Sequence, residues 1–370
     1  MDCFVGRIYL DEPFDAQGLK DARNDLEALE SRDEKERERK VWLGKYIDRV
    51  NSTYEKVPDD EGRRWMRKVK YIQRCDSKGQ PAGRHTTKNV AFGPVYEDGE
   101  KSSICLTGML RELRGYAVGP SSKSCPSQRR RLRGHAHDLD FKCCQPTILA
   151  QLPGLLTWTD GRDPPSVKEL RYLCSNRPRL YKELAENHQL DSDEMHYDGY
   201  QKDMLKKLTT SLLFSGKYSS WIHRYTPNVT KRHLMIDALE YELKLLSKAI
   251  FESVEWAPFV AEWRIVLKEE KNGDKEAIDR SIMARIAQDY ETKCLLAMKA
   301  QLEEDGWTLL SLVYDGAIVR HREGHSFDMA KLQNRVFRET KLLMVIEEKP
   351  LFGAEPALTL RRDFGLSVPE

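Results

Sequence analysis

The chain has 370 residues, enough for about two or three structural units, and 40% of its residues are hydrophobic, enough for a sizeable core. Its 61 basic and 59 acidic residues give a net charge of +2, which excludes a histone-like polycation and requires any nucleic-acid surface to be local. Apolar runs stay short of the ~18 residues of a membrane helix, and Asp2, Arg7 and Asp11 interrupt the first one. Its eight cysteines include no CxxC pair, so we expect an intracellular protein of the cytoplasm or nucleus, not a secreted one.

The N-terminal third combines charged helical patterns with glycine-rich and basic segments. Apolar residues recur every three or four positions between Leu19 and Arg74, which predicts helix. Residues 75–103 are rich in Gly, Ser, Lys and Pro, which predicts a loop or an irregular hairpin. Residues 121–134 contain no acid and form either a mobile basic loop or a phosphate-contacting strand. The basic residues of this segment are Lys123, Arg129, Arg130, Arg131 and Arg133.

The rest of the chain predicts long helices and a few short strands. Helical patterns cover 166–186, 198–214, 231–255 and 275–304, and a further one lies near 328–340. The 275–304 pattern is the clearest, because an apolar face steps by four through Ile282, Ile286, Tyr290, Cys294 and Met298. Strands are predicted near 136–141, 308–320 and 341–347.

The segment 134–152 holds the first candidate site. Alternation along a strand places Asp138 and Asp140 on one face, and an amphipathic helix is expected to follow Pro146, since proline is favoured in a first helical turn. A carboxylate at a strand end before a helix can hold a divalent cation. An isolated pair of this kind can equally cap the helix or end the strand.

The second candidate is Asp315, in the sequence VYDGAIV. Asp315-Gly316 is a strong hairpin signal, and alone it indicates only a turn. Apolar strands on both sides would bury the base of the hairpin and leave the carboxylate at an exposed edge, where a metal ligand can lie.

The third candidate is the helix that ends near Phe214. Lys206 and Lys207 precede Phe214 by about two turns, and Gly216 follows it. A cation and an aromatic ring on one face can grip a triphosphate and cover a base. The alternative is that both lysines are surface residues and that Phe214 belongs to the core.

In this order the three segments resemble the palm and fingers of the single-subunit, right-hand polymerases, namely family A DNA polymerases and the phage-type RNA polymerases related to them. DFKCCQPTIL, beginning at Asp140, is similar to motif A, and KLTTSLLFSG is similar to motif B. The segment ending in LVYDGAIV resembles motif C, with Tyr314 in place of histidine, Asp315 kept, and Gly316 in place of the third residue. A weaker likeness to the segment before motif A lies in GPVYEDGE, with Pro94 in place of arginine.

The resemblance implies an α+β right hand, divergent and minimal, whose antiparallel palm sheet is surrounded by many helices. Residues 1–120 would form a helical, thumb-like region, and residues 155–305 would form the helical fingers with motif B. The palm would combine residues 121–154, with motif A, and residues 306–370, with the motif C hairpin and a C-terminal strand.

The function implied is a template-directed nucleotidyltransferase, a DNA or RNA polymerase of the kind that serves DNA replication. Two Mg²⁺ or Mn²⁺ ions would be held by Asp140 and Asp315, with Asp138 as a further metal-ligand candidate. The partners would be a DNA or RNA primer-template, nucleoside triphosphates and replication accessory proteins, with no membrane. Lys206 and Lys207 would contact the triphosphate, and Phe214 would pack against the incoming base. Gly216 would leave room for the templating base. Arg111 and Arg114 would contact the primer-template phosphates.

Three alternatives stay open. The Asp138-x-Asp140 pair also resembles archaeo-eukaryotic primase-polymerases, which would use Asp138, Asp140 and Asp315. Their Ser-x-His motif has one intervening residue, whereas two separate Ser220 from His223. A catalytically inactive nucleic-acid-binding relative is the second alternative. The third is a metal-dependent hydrolase using His137, Asp138 and Asp140.

Overall fold

The described part of the chain is a mixture of many helices and two small antiparallel sheets. The computed structural model describes residues 4–14, 16–28, 34–52, 57–58, 65–75, 81–87, 136–158, 161, 163–190, 198–227, 232–322 and 324–349. In these ranges no helix is both long and apolar enough to cross a membrane.

The N-terminal part contains a four-stranded sheet as well as helices. Its elements are β1 (Phe4–Phe14), α1 (Ala16–Glu27), α2 (Glu34–Ser52), β2 (Val57–Pro58), β3 (Trp65–Cys75) and β4 (Pro81–Thr87). Strand β3 pairs antiparallel with β1, β2 and β4.

The prediction of helix from Leu19 to Arg74 is therefore wrong where β2 and β3 lie, and the region 1–120, predicted to be helical, also contains β1 and β4. Strand β3 has the sequence WMRKVKYIQRC, whose aromatic and β-branched residues favour a strand once a partner is present. That partner, β1, is distant in sequence, so the apolar spacing between Leu19 and Arg74 could not indicate the pairing. The irregular hairpin expected within 75–103 is present in part as the pairing of β3 with β4.

The described residues from 136 onward are mostly helical. The predicted helices at 166–186, 198–214, 231–255 and 275–304 are confirmed to within one turn at each end. Two further helices, at Tyr218–Tyr225 and Ala257–Glu270, have no counterpart among the predictions. The helices are α3 (Cys144–Leu149), α4 (Lys168–Asn187), α5 (Asp198–Leu213), α6 (Tyr218–Tyr225), α7 (Leu234–Glu252), α8 (Ala257–Glu270), α9 (Lys275–Glu304) and α10 (Met329–Thr340).

The second sheet joins the middle of the chain to its C-terminal part. Its strands are β5 (Ala136–Phe141), β6 (Leu309–Val313), β7 (Gly316–Arg320) and β8 (Ile346–Lys349). They lie in the order β6-β7-β5-β8, and every neighbouring pair is antiparallel. This confirms an antiparallel sheet built from the predicted strands, although the last strand begins five residues later than predicted.

The core lies between this sheet and the helices around it. Leu139 and Phe141 of β5 point into it and are fully buried. Helix α9, the longest of the described helices, contributes buried side chains along its length. Those of Ile282, Ile286 and Met298 are inaccessible to solvent. The side chain of Asp274 caps α9 by accepting the N–H of Ala277 at 3.1 Å. Because α9 leads directly into β6, its packing fixes where the β6-β7 hairpin meets β5.

Candidate functional site on the second sheet

Asp140 and Asp315 meet where β5 and β7 pair. Asp140 lies opposite Gly316, the residue that follows Asp315. One step further along, the backbone N–H of Phe141 donates to the carbonyl oxygen of Asp315, with an N···O distance of 3.2 Å. Paired residues on antiparallel strands have Cα atoms about 4.5–5.5 Å apart. Two acids that are far apart in the sequence therefore lie within one residue step of each other across two adjacent strands.

The hairpin that carries Asp315 turns one residue earlier than its sequence suggests. Val313 pairs with Gly316, so the two loop residues are Tyr314 and Asp315, not Asp315 and Gly316 as predicted. Tyr314 adopts a left-handed conformation with φ +54°. Bulky residues rarely adopt this conformation, and when they do they are often found at functional sites. The hairpin thus holds Asp315 in its turn, next to the end of β5.

Gly316 is required by the close approach of β5. A Cβ atom at position 316 would lie 2.4 Å from the carbonyl oxygen of Leu139 and 3.3 Å from Oδ1 of Asp140. No side chain fits at that distance from a backbone oxygen. The glycine that replaces the third motif C residue therefore permits the contact between the two acid-bearing strands.

The Asp140 carboxylate is largely buried, with 16% of its side chain exposed. Its Oδ2 atom forms an ion pair with Nζ of Lys349 on β8. Its Oδ1 atom is inaccessible to solvent and has no hydrogen-bond partner among the described residues. A buried carboxylate oxygen without a partner is costly. This oxygen is therefore available to a ligand that the described residues do not supply.

Asp138 shares a face of β5 with Asp140, as predicted from alternation. It is 8% exposed, and it lies opposite Ile318 on β7 and Lys349 on β8. Glu347 lies opposite Asp140 on β8 and so belongs to the same face. Sequence reasoning missed Glu347 and Lys349, because only the long-range pairing of β8 with β5 brings them to the acids.

His137 lies on the other face of β5. Its Nδ1 atom is 2.6 Å from Oε1 of Glu348, and its Nε2 atom is 2.9 Å from Nδ1 of His321. The ring also packs edge-on against Phe327, with centroids 4.9 Å apart. A hydrolase site formed by His137 with Asp138 and Asp140 is therefore wrong, because strand alternation separates the imidazole from the two carboxylates.

The predicted motif B residues lie at the end of α5. Lys206 and Lys207 are exposed, and Phe214 is partly buried and packs against the core. Gly216 is buried, and its N–H donates to the carbonyl oxygen of Ser211 at 2.8 Å, closing the helix end. A Cβ at 216 would lie 2.7 Å from that same oxygen, so the way the helix ends is enough to require a glycine at this position. The roles of these four residues in substrate binding stay predictions.

Other candidate residues lie elsewhere or outside the described ranges. Ser220 and His223, the primase-like pair, are exposed on α6. Arg111, Arg114 and residues 121–134 lie outside the described residues, as does the segment GPVYEDGE. Among the side chains that the structure describes, no group of three or more His, Cys, Asp or Glu residues is arranged to hold a metal ion.

The sequence matches no protein-family model and no curated protein. Among solved structures, the chain is similar to the POL domain of Pol1 from M. smegmatis in complex with DNA primer-template and dNTP, with a TM-score of 0.49 and 12% identity. The match covers 87% of this chain and 52% of that one, so the chain spans about half the length of the solved structure. A likeness at this level transfers no activity, substrate or partner to the chain.

Proposed function

We propose that the chain is a template-directed nucleotidyltransferase, a DNA or RNA polymerase with a minimal right-hand fold, whose metal site is formed by Asp140 and Asp315. One observation carries the proposal: the strand register that puts Asp140 beside the hairpin of Asp315. The motif order of the sequence predicts this juxtaposition.

The residues at this position fit a divalent metal ion. Carboxylate oxygens are the ligands that Mg²⁺ and Mn²⁺ prefer, and Oδ1 of Asp140 is buried without a partner in the described part of the chain. Two carboxylates suffice in this class of site, since water and substrate phosphates complete the coordination. When bound, two such ions would stabilise charge on the attacking 3′-oxygen and on the leaving pyrophosphate.

The chain's own residues would then position the substrates. Asp140 on β5 and Asp315 in the adjoining turn would hold the reacting end of the site, and Gly316 allows β5 and β7 to approach each other there. Lys206 and Lys207 are exposed, so their ammonium groups could bind the triphosphate without a cost of burial. Phe214 would pack against the incoming base. We assign Arg111 and Arg114 to primer-template phosphates on the sequence resemblance alone.

The test is primer extension by the full chain with Mg²⁺ or Mn²⁺, nucleoside triphosphates and a labelled primer-template. Asp140→Asn and Asp315→Asn keep the side-chain shape and remove the charge. Each should lower the extension rate by at least about 100-fold, corresponding to roughly 3 kcal/mol of transition-state stabilisation. Glu348→Gln is the matched control, because this acid lies on the same sheet but contacts His137 on the opposite face. Undiminished extension in either Asp variant would remove the site assignment.

One observation favours a second candidate, a nucleic-acid-binding relative without catalysis. Lys349 already pairs with Asp140, and a resident ammonium can substitute for a metal ion structurally without supporting chemistry. Salt-sensitive binding of primer-template combined with no extension under either metal would select this candidate.

A further inference from the structure

Lys349 contacts two carboxylates on the face of the sheet that carries Asp140. Its ammonium forms the ion pair with Oδ2 of Asp140 and lies 3.7 Å from Oε1 of Glu347. The register of β5 with β8 explains this arrangement: Asp140 lies opposite Glu347, and Asp138 lies opposite Lys349. The ammonium therefore lies near both members of a cross-strand pair of acids.

This pair of acids needs a cation. Side chains directly opposite on antiparallel strands have Cβ atoms about 5 Å apart, and like charges at that position are destabilising. Burial increases the cost, since the Asp140 side chain is only 16% exposed. In the described residues, Lys349 supplies the positive charge, yet Oδ1 of Asp140 is still buried without a partner. A monovalent ammonium thus neutralises the pair only in part.

We propose that the Lys349 ammonium occupies a cation site between Asp140 and Glu347, that a divalent ion displaces it, and that Glu347 is a ligand of that ion. The identity of the ion rests on the proposed function, whereas the competition between the ammonium and the ion rests on the contacts of Lys349 with Asp140 and Glu347. The ammonium and the metal ion would bind the same two acids, and two cations held by one carboxylate repel each other, so each must weaken the binding of the other. Lys349 is then a built-in competitor that sets the metal affinity of the site.

The experiment titrates the full chain with Mn²⁺ alone and follows free Mn²⁺ by electron paramagnetic resonance. Lys349→Met removes the charge and keeps the apolar stem, and it should tighten Mn²⁺ binding about tenfold. Glu347→Gln should weaken Mn²⁺ binding by a similar factor. Lys349→Gln is a second neutral variant, for use if Lys349→Met does not fold, and Lys349→Arg should bind Mn²⁺ as the wild type does.

Two controls separate the site from general charge effects. Glu348→Gln removes an acid from the same strand but from the opposite face, and Lys248→Met removes an exposed lysine on α7. Both should change Mn²⁺ affinity by less than about twofold, because screened surface charges contribute little. A Glu348 effect as large as the Glu347 effect would contradict the assignment of the ligand.

The proposal is overturned if folded neutral variants of Lys349 bind Mn²⁺ no more tightly than the wild type, or if Glu347→Gln leaves the affinity unchanged. It is also overturned if neither the wild type nor Lys349→Met binds Mn²⁺ at millimolar concentrations. The titration contains no nucleotide and no nucleic acid. Its failure is therefore distinct from a failure of primer extension, which tests Asp140 and Asp315 and not the competition by Lys349.

Discussion

Gly316 and Asp140 lie opposite each other on adjacent strands, at a separation that leaves no room for a side chain at position 316. This contact joins the hairpin of Asp315 to the strand of Asp140. A substitution at Gly316 should therefore affect both the stability of the sheet and the geometry of the proposed site.

We expect Gly316→Ala to lower the free energy of unfolding by about 1–3 kcal/mol, the usual cost of inserting an atom into a packed interior. Its Cβ would lie 2.4 Å from the carbonyl oxygen of Leu139, so the two strands must separate. Urea unfolding measures the loss of stability. In primer extension, we expect the same variant to lose activity under conditions where it is still fully folded, because the two acids move apart.

Gly154→Ala is the matched control for this substitution. A Cβ at position 154 would have no atom within 4 Å, so we expect a change of less than about 0.5 kcal/mol. Equal stability losses at 154 and 316 would show that the close approach of β5 and β7 is not what requires the glycine.

The sequence predicts this region well where the signal is local. The strand 136–141 and the helix 275–304 appear at the predicted residues, because the alternation of a strand and the apolar face of a helix can both be recognised within a short stretch of sequence. The turn is shifted by one residue, since Tyr314 takes a backbone conformation that its type rarely adopts. What sequence patterns could not supply is the pairing of β8 with β5, which brings Glu347 and Lys349 to Asp140. That pairing depends on tertiary packing, as does the strand at 65–75.

Glu242 on α7 caps the start of α4, and we expect its removal to be costly. Helix α4 has no side-chain cap of its own at Val167. The Glu242 carboxylate is buried and accepts the N–H groups of Glu169 at 3.1 Å and Leu170 at 2.8 Å. Glu242→Ala should lower the free energy of unfolding by about 2–4 kcal/mol, since hydrogen bonds to charged groups contribute about 1.5–3 kcal/mol each and are not additive.

Glu242→Gln should cost less than Glu242→Ala, because one amide oxygen can still accept a hydrogen bond. Chemical denaturation measures both variants. Glu269→Ala, at an exposed position on α8, serves as the control and should change the stability by less than about 0.5 kcal/mol. A Glu242→Ala variant as stable as this control would rule out the capping role.

Two thiols with raised pKa values, buried Cys294 and half-buried Cys174, should resist alkylation in the folded protein. Burial raises the pKa of Cys294 to about 12 and that of Cys174 to about 11. At pH 8 both are therefore almost entirely protonated, and the thiolate is the reactive form. We expect iodoacetamide to modify Cys143 before Cys294 and Cys174, and to reach these two only after denaturation in urea. Peptide mass spectrometry distinguishes the sites, and modification of folded Cys294 at the rate of Cys143 would contradict this expectation.

Buried His188 should make the protein less stable in mild acid. The ring is 1% exposed, pairs through Nε2 with the hydroxyl of Tyr218, and lies with Nδ1 3.4 Å from Oγ1 of Thr226. Burial, with a smaller contribution from His233, lowers the pKa of His188. The unfolded chain therefore binds a proton at this position first as the pH falls. The contribution of His188 to the free energy of unfolding is complete above the unfolded pKa of about 6.5. It decreases below that pH until the folded imidazole also binds a proton.

The measurement is urea unfolding at several pH values between 7.5 and 5. We expect the wild type to lose stability below pH ~6.5 more steeply than His188→Gln, which cannot take up a proton at this position. His188→Gln will be less stable at every pH because it loses buried contacts, so the slope against pH and not the absolute value decides. His223→Gln, exposed on α6, should keep the wild-type slope. Parallel pH profiles for the wild type and His188→Gln would show that this imidazole is not the source of the acid sensitivity.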